Sequence, residues 1–392
     1  MQPYGQPGYA PQGYAPQGYA PQGYAPQCYA PQGYAPQGYA PQGYAPQPQY
    51  APQPGAPQPY YPQQGYAPQG VMSPAMAYRY FPLPQGYNPQ TDCAALRKAM
   101  KGIGTDEDAI INVVSHSSYN QRQAMINCFT QSFSRNLMAD LKSEISGKFY
   151  TLVEGLFTSP DVYDAQCIHE ALKGAGTNDD TLIEIVCTRS NDQINLIKSA
   201  YQRLYNKDLI SDVKGDTSGT YEKVLVSMLN GCRSQNPNPD PATCQRDAEQ
   251  LYKGGEGRLG TDESLFCRIF GTKSNAELRC IFQYYTQISG HDIYQAIQSE
   301  FSGNAKTAFL TMIECIMDTP AYFAARFYKS MKGAGTKDRM LMRLVITRNE
   351  VDLPAIKNCY AHNYGKDLAS AISSDTSGDY KKLLVAIVNC RN

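Results

Sequence analysis

Four short glycine loops in this chain each precede a carboxylate at one fixed distance. The loops read Met100-Lys-Gly-Ile-Gly-Thr105, Leu172-Lys-Gly-Ala-Gly-Thr177, Gly257-Arg-Leu-Gly-Thr261 and Met331-Lys-Gly-Ala-Gly-Thr336. From the last glycine of each, an acid follows after 40 residues: Gly104 to Glu144, Gly176 to Asp216, Gly260 to Glu300 and Gly335 to Asp375. Glycine tolerates backbone angles that turn loop carbonyls inward. A hard cation such as Ca²⁺ takes about 6–8 oxygen ligands, and carbonyls and bidentate carboxylates are its usual ones. Three loop carbonyls and one bidentate carboxylate make about five of these, leaving room for water or a phosphate oxygen. One carboxylate also leaves the ion net positive, ready to bridge to an anion. The competing reading makes the glycines helix caps and the acids ordinary surface residues. Four matched copies weigh against it.

The loops need elements to hold them. After each comes an apolar stripe at spacings of three and four: Ile110, Ile111, Val113 and Val114; Leu182, Ile183 and Val186; Leu265, Phe266, Ile269 and Phe270; Met340, Leu341, Leu344 and Val345. This is the period of a half-buried helix. The threonine ending each loop is the expected N-cap, with Asp108 and Asp180 three residues on in a capping-box-like position. Each acid is expected near a helix end; Leu141-Lys-Ser-Glu144 closes one stretch before Gly147. The cation would then sit between two interhelical loops. An EF-hand instead keeps its ligands within one loop, and no D-x-[DN]-x-[DN]-G stretch is present.

These residues resemble the annexin family. The likeness lies in the K-G-x-G-T loops, the distant acids, and the stretches Asp216-Thr-Ser-Gly219 and Asp375-Thr-Ser-Gly378, with Glu144-Ile-Ser-Gly147 and Glu300-Phe-Ser-Gly303 as variants. It runs from about residue 88 to the C-terminus. It implies an all-α fold of four repeats, about five helices each, in a curved disc that binds anionic phospholipid through Ca²⁺ on its convex face. The repeats are expected at 89–158, 159–231, 245–316 and 317–392. The proline-rich segment Ser234–Pro241 reads as a linker (232–244) between two halves, which makes two pairs of repeats. The expected metal ligands are Met100, Gly102, Gly104 and Glu144; Leu172, Gly174, Gly176 and Asp216; Gly255, Arg258, Gly260 and Glu300; and Met331, Gly333, Gly335 and Asp375.

Lys101, Lys173, Arg258 and Lys332 stand beside the loops, where a base near an anionic surface contributes about 1 kcal/mol. Ile103 and Leu259 are apolar loop tips expected to dip into the membrane interface. Many annexins carry tryptophan where Leu259 stands, and this chain has none. The family's polar centre maps to Glu184, Arg189, Arg343 and Asp352, read here as buried charges that fix packing. Cys167 replaces an acid common in the family, which weakens any ion-conduction role. Arg189 and Arg348 match a recurring arginine after the second helix, with His116 and Lys273 in its place in repeats one and three.

Composition limits the remainder. Residues 1–88 repeat the pentad Tyr-Ala-Pro-Gln-Gly and hold one base, Arg79, and no acid. Proline every fifth residue and the scarcity of Leu, Ile and Val predict a disordered tail. Its r.m.s. reach as a coil is roughly 50 Å, from about 5–6 Å × √n. Such tails resemble those of long-tailed annexins. They imply self-association through tyrosines and recruitment of penta-EF-hand calcium proteins. The remaining residues carry 34 bases against 35 acids, which argues against nucleic acid as a partner. No apolar run nears a transmembrane length and no signal-peptide pattern opens the chain, so cytoplasmic synthesis and peripheral membrane binding when calcium rises are expected. The twelve cysteines include no C-x-x-C pair. Most are expected as small apolar residues in helices, with Cys28 the most reactive thiol. Scattered histidines and the lack of a P-loop or H-E-x-x-H motif argue against an enzyme. The expected function is calcium-dependent phospholipid binding and membrane organisation. The rival is a tail-driven condensate or adaptor scaffold.

Overall fold

Among the described residues, apolar positions at helical spacing fold into twenty α-helices, and there is no strand. The structure is a computed structural model that describes residues 83–390 apart from 175. Most of the expected tail, including Cys28 and Arg79, lies outside the described residues. The helices fall into four sets of five. The first set is α1 (Pro89–Ala99), α2 (Glu107–His116), α3 (Tyr119–Phe133), α4 (Leu137–Glu144) and α5 (Gly147–Phe157). The second is α6 (Pro160–Leu172), α7 (Asp179–Thr188), α8 (Asn191–Tyr205), α9 (Leu209–Asp216) and α10 (Gly219–Leu229). The third is α11 (Pro241–Gly254), α12 (Glu263–Thr272), α13 (Asn275–Ser289), α14 (Ile293–Glu300) and α15 (Gly303–Met317). The fourth is α16 (Thr319–Met331), α17 (Asp338–Arg348), α18 (Leu353–Tyr364), α19 (Leu368–Asp375) and α20 (Gly378–Cys390).

The local signals are consistent across the sets. Proline occupies the first turn of α1, α6, α11 and α16, where a missing N–H costs nothing. Ser118, Ser190 and Ser274 form reciprocal capping boxes with Gln121, Gln193 and Glu277 at the starts of α3, α8 and α13. The threonines, however, are not N-caps. Asp106, Asn178 and Asp262, one residue later, cap α2, α7 and α12, accepting from Ala109, Thr181 and Leu265 N–H at 2.9, 3.1 and 3.1 Å. Lys337 holds that place in the fourth set and gives no side-chain cap. The capping box expected of Asp108 and Asp180 is therefore out of register. These acids instead accept from Lys382 and Lys329, each at 2.9 Å.

The linker reading needs correction in one respect. Two hydrophobic cores form, but the partners lie across the linker. One core joins α1–α5 to α16–α20 around residues such as Phe129, Leu152, Phe327 and Leu384. The other joins α6–α10 to α11–α15 around Ile185, Leu225, Phe270 and Phe309. The proline-rich segment runs along the second of these. Ser234 N–H donates to Thr272 carbonyl at 2.7 Å, and Ser274 hydroxyl to Asn236 carbonyl at 2.7 Å. α11 begins at Pro241, inside the span expected as linker. Chain adjacency favours pairing neighbours, but the apolar faces of sets one and four complement each other and bury together.

Candidate metal centres

Each glycine loop is closed by a backbone clamp. In the first, second and fourth sets the N–H of Asp106, Asn178 and Lys337 donates to the carbonyl of Ala99, Ala171 and Ser330 at 2.9, 2.8 and 2.8 Å. The third clamp is Asp262 N–H to Gly254 carbonyl at 2.7 Å. It encloses 255–261, one residue more than 100–105, 172–177 or 331–336. The shorter loops hold two left-handed glycines each, with φ of 116° and 85° at Gly102 and Gly104, 115° and 95° at Gly174 and Gly176, and 110° and 83° at Gly333 and Gly335. The third has only Gly260 at 78°. Arg258 stands where a second glycine would be, and the loop is one residue longer. A turn from Gly255 carbonyl to Arg258 N–H (3.0 Å) and a bond from Gly257 N–H to Tyr252 carbonyl (2.8 Å) carry the chain around.

The acids reach these loops through the threonines. Thr105 hydroxyl donates to Glu144 Oε2 at 2.9 Å. Thr261 hydroxyl donates to the Glu300 carboxylate. Thr336 hydroxyl donates to Asp375 Oδ2 at 2.6 Å. Thr177 reaches the backbone carbonyl of Asp216 at 3.4 Å. Each acid ends its helix, α4, α9, α14 or α19, as the sequence predicts. Among the described residues, no lysine, arginine or histidine forms an ion pair with any of the four. The Glu144, Glu300 and Asp375 carboxylates each accept from a threonine hydroxyl, whereas at Asp216 the hydroxyl meets the backbone carbonyl. No group of three or more His, Cys, Asp or Glu side chains suited to a metal occurs among the described residues. Any ion at these loops must therefore draw on carbonyl oxygens, a donor set that suits a hard cation.

The loop flanks are open to solvent. Ile103 and Leu259 are fully exposed, at 110% and 100%. Lys101, Lys173, Arg258 and Lys332 are exposed as well, and Lys332 Nζ rests 5.5 Å from the centre of the Tyr328 ring. One grouping was not legible in the sequence. A cleft of about 530 Å³ is lined by both Glu144 and Asp375, and one of about 490 Å³ by both Asp216 and Glu300. The sites thus come in pairs that follow the two cores.

The polar centre divides differently from the expectation. Glu184 accepts from Arg343 Nε at 2.7 Å and from Arg326 Nε at 2.8 Å. Burial alone would raise the Glu184 carboxyl, but the two guanidiniums outweigh it and hold the pKa down to about 2. Arg189 does not join this cluster; it forms a fork with Asp164, at 2.7 and 3.0 Å. Asp352 pairs with Arg348, Nε to Oδ1 at 2.8 Å. Arg326 was missed, although an arginine among Tyr322, Phe323 and Phe327 in one helix is a readable signal of a buried charge. Burial pushes the Cys167 thiol up to about 12, so it stays neutral where an acid would be charged. The placement of His116 is also corrected. It ends α2 as Thr188 ends α7 and Thr272 ends α12, and Ser117 holds the arginine's position. Arg122 donates to the Ser117 carbonyl, with Nε to the Leu156 carbonyl at 2.7 Å and a pair to Glu350 at 2.8 Å.

Four five-helix repeats carrying clamped glycine loops define a helical repeat protein with matched candidate metal centres. The family model described as Annexin matches residues 91–156, 163–228, 246–312 and 322–387, and the chain belongs to the annexin family. It is similar to human annexin A7, 46% identical over 297 residues, covering 76% of this chain and 61% of that protein's length. Among solved structures it is similar to annexin III (TM-score 0.76, 38% identity, 80% of this chain and 96% of that one). It is also similar to calcium-bound annexin (Sm)1 (TM-score 0.72, 30% identity, 79% and 93%). No helix among the described residues is long and apolar enough to cross a membrane.

Proposed function

We propose that this chain binds anionic phospholipid membranes in a calcium-dependent way. The observation that carries the reading is the fourfold meeting of a clamped glycine loop with an acid that has no cation of its own. The carbonyls of Met100, Gly102 and Gly104 with Glu144 form the first ligand set. Leu172, Gly174 and Gly176 with Asp216 form the second, Gly255, Arg258 and Gly260 with Glu300 the third, and Met331, Gly333 and Gly335 with Asp375 the fourth. When bound, calcium supplies positive charge and open coordination positions there. Lys101, Lys173, Arg258 and Lys332 attract the anionic surface, at about 1 kcal/mol each. Ile103 and Leu259 bury their side chains in the interface, each contributing about 1.5–3 kcal/mol when fully buried.

Calcium binds weakly without lipid, because one carboxylate per loop is a small share of the ligands. Membrane and calcium then raise each other's affinity by the same factor. The tail tethers or clusters membrane-bound molecules through its tyrosines and is a candidate docking segment for a penta-EF-hand calcium protein. The pentad composition favours a second reading, a tail-driven scaffold in which lipid binding is secondary.

Co-sedimentation with phosphatidylserine vesicles across a calcium series tests the reading. Changing Glu144, Asp216, Glu300 and Asp375 together to alanine removes calcium-dependent binding and leaves helical content unchanged. Retained binding at the same calcium concentration sinks the proposal. Deleting residues 1–88 keeps vesicle binding and abolishes self-assembly; the reverse outcome favours the scaffold.

A further inference from the structure

At the seam between α2 and α20 an imidazole faces a thiol. His116 ends one helix and Cys390 the other, and Cys390 Sγ lies 3.1 Å from His116 Nε2. His116 Nδ1 lies 2.8 Å from the carbonyl of Asn112, which can only accept. The Ser115 hydroxyl lies farther from Nδ1, at 3.2 Å, so the nearer carbonyl assigns the ring proton to Nδ1 and leaves the Nε2 lone pair facing the thiol. The corresponding residues of the other repeats are Thr188, Thr272 and Thr347. Their hydroxyls make the same bond four residues back, to Glu184, Arg268 and Arg343 carbonyls at 2.6, 2.7 and 2.8 Å. Histidine keeps this back-bond and adds a second, outward nitrogen that threonine lacks.

Position matters as much as pairing. His116 is exposed and Cys390 half-exposed, whereas Cys93, Cys128, Cys187, Cys244, Cys267 and Cys315 are buried. A thiol within reach of an oriented base is the arrangement that activates a sulfur nucleophile. We propose that Cys390 is a modification site that exchanges with a low-molecular-weight disulfide of the glutathione type, with His116 as the base. The thiol proton passes to His116 Nε2. Cys390 Sγ then attacks one sulfur of the disulfide, so the old S–S bond breaks as the new one forms. The departing thiolate takes the proton back from the imidazolium. The balance is thiol plus disulfide giving mixed disulfide plus thiol, and no further oxidant is consumed. The adduct sits on the seam that joins the chain's first and last repeats, at the opposite end of the two helices from the Lys382–Asp108 pair that also bridges them.

The test uses the full chain with glutathione disulfide, quenched at intervals and mapped by peptide mass. Cys390 is expected to gain the adduct at least about ten times faster than the exposed Cys232, whose Sγ lies 3.3 Å from the Asn230 carbonyl. His116→Gln is expected to slow Cys390 by about tenfold or more while the Cys232 rate stays the same. Equal wild-type rates at Cys390 and Cys232 overturn the proposal without recourse to any variant. An unchanged Cys390 rate in His116→Gln overturns it too, leaving the contact as a structural hydrogen bond. A variant that also changes the Cys232 rate is judged unfolded, and the wild-type ratio then decides.

Discussion

Glu184 and Asp375 are both held carboxylates, and they are held in opposite ways. Glu184 is 1% exposed and clasped by two arginines, so its charge is cancelled within the protein. Asp375 is partly exposed and touched by one neutral hydroxyl, so its charge is not cancelled within the protein. The same chemical group is paired within the protein in one place and left without a counter-charge in the other. Burial and counter-charge decide which. A paired buried carboxylate cannot accept a cation without breaking its fork, whereas an uncompensated one at a helix end is favoured by any cation that reaches it.

Removing Glu184 should have the largest effect. Glu184→Ala strands two buried guanidiniums, and losing one side of a buried pair costs about 3–5 kcal/mol. Chemical denaturation should show that loss, while the calcium midpoint for vesicle binding stays near wild type below the melting point. The same pair predicts an acid transition. The Glu184 carboxyl is lowered from 4.5 to about 2, so its contribution is complete above about 4.5 and disappears as pH falls toward 2. Stability measured between pH 5 and pH 2 should fall less steeply in Glu184→Gln than in wild type. A parallel decline in both proteins breaks the contrast.

Asp375→Ala should act on the other side. A hydrogen bond or ligand bond to a charged group is worth about 1.5–3 kcal/mol, so one such change should move the calcium midpoint by about ten- to a hundredfold with little change in melting temperature. Glu184→Ala moving that midpoint as far, with Asp375→Ala leaving it in place, would reverse the assignment.

A third pair of variants sharpens the difference among the loops. Gly104→Ala forces a side chain into φ of 85°, costing about 1 kcal/mol locally. Gly257→Ala meets an obstacle of another kind, since a Cβ there would come within 2.8 Å of Tyr252 carbonyl. Both should weaken calcium-dependent binding, and hydrogen exchange should report loosening confined to the altered loop.

The smallest expected effect is that of Thr336→Val. It removes the hydroxyl that holds Asp375 and costs about 1 kcal/mol, seen as a calcium midpoint raised several-fold. Helix α17 should keep its stability, because the threonine is not its cap. If thermal stability falls by more than the midpoint shift accounts for, the threonine does act on the helix.

Much of this protein was written in local sequence. Glycine spacing and the helical apolar stripes are short-range signals, and the 40-residue offset is legible because it recurs four times. The first two depend on backbone angles or on side chains within a few helical turns, and the third on repetition, so the repeats and their loops could be read before any packing was known. The threonine cap failed by one residue because a longer-range clamp sets the start of the helix. Other features depended on which surfaces bury together. The pairing of first with fourth and second with third repeats, the shared clefts, the Glu184–Arg326–Arg343 cluster and the meeting of His116 with Cys390 join residues far apart in the chain. Apolar patterning says that a face must be covered, but complementary shape and charge choose what covers it, and only the tertiary structure made that choice.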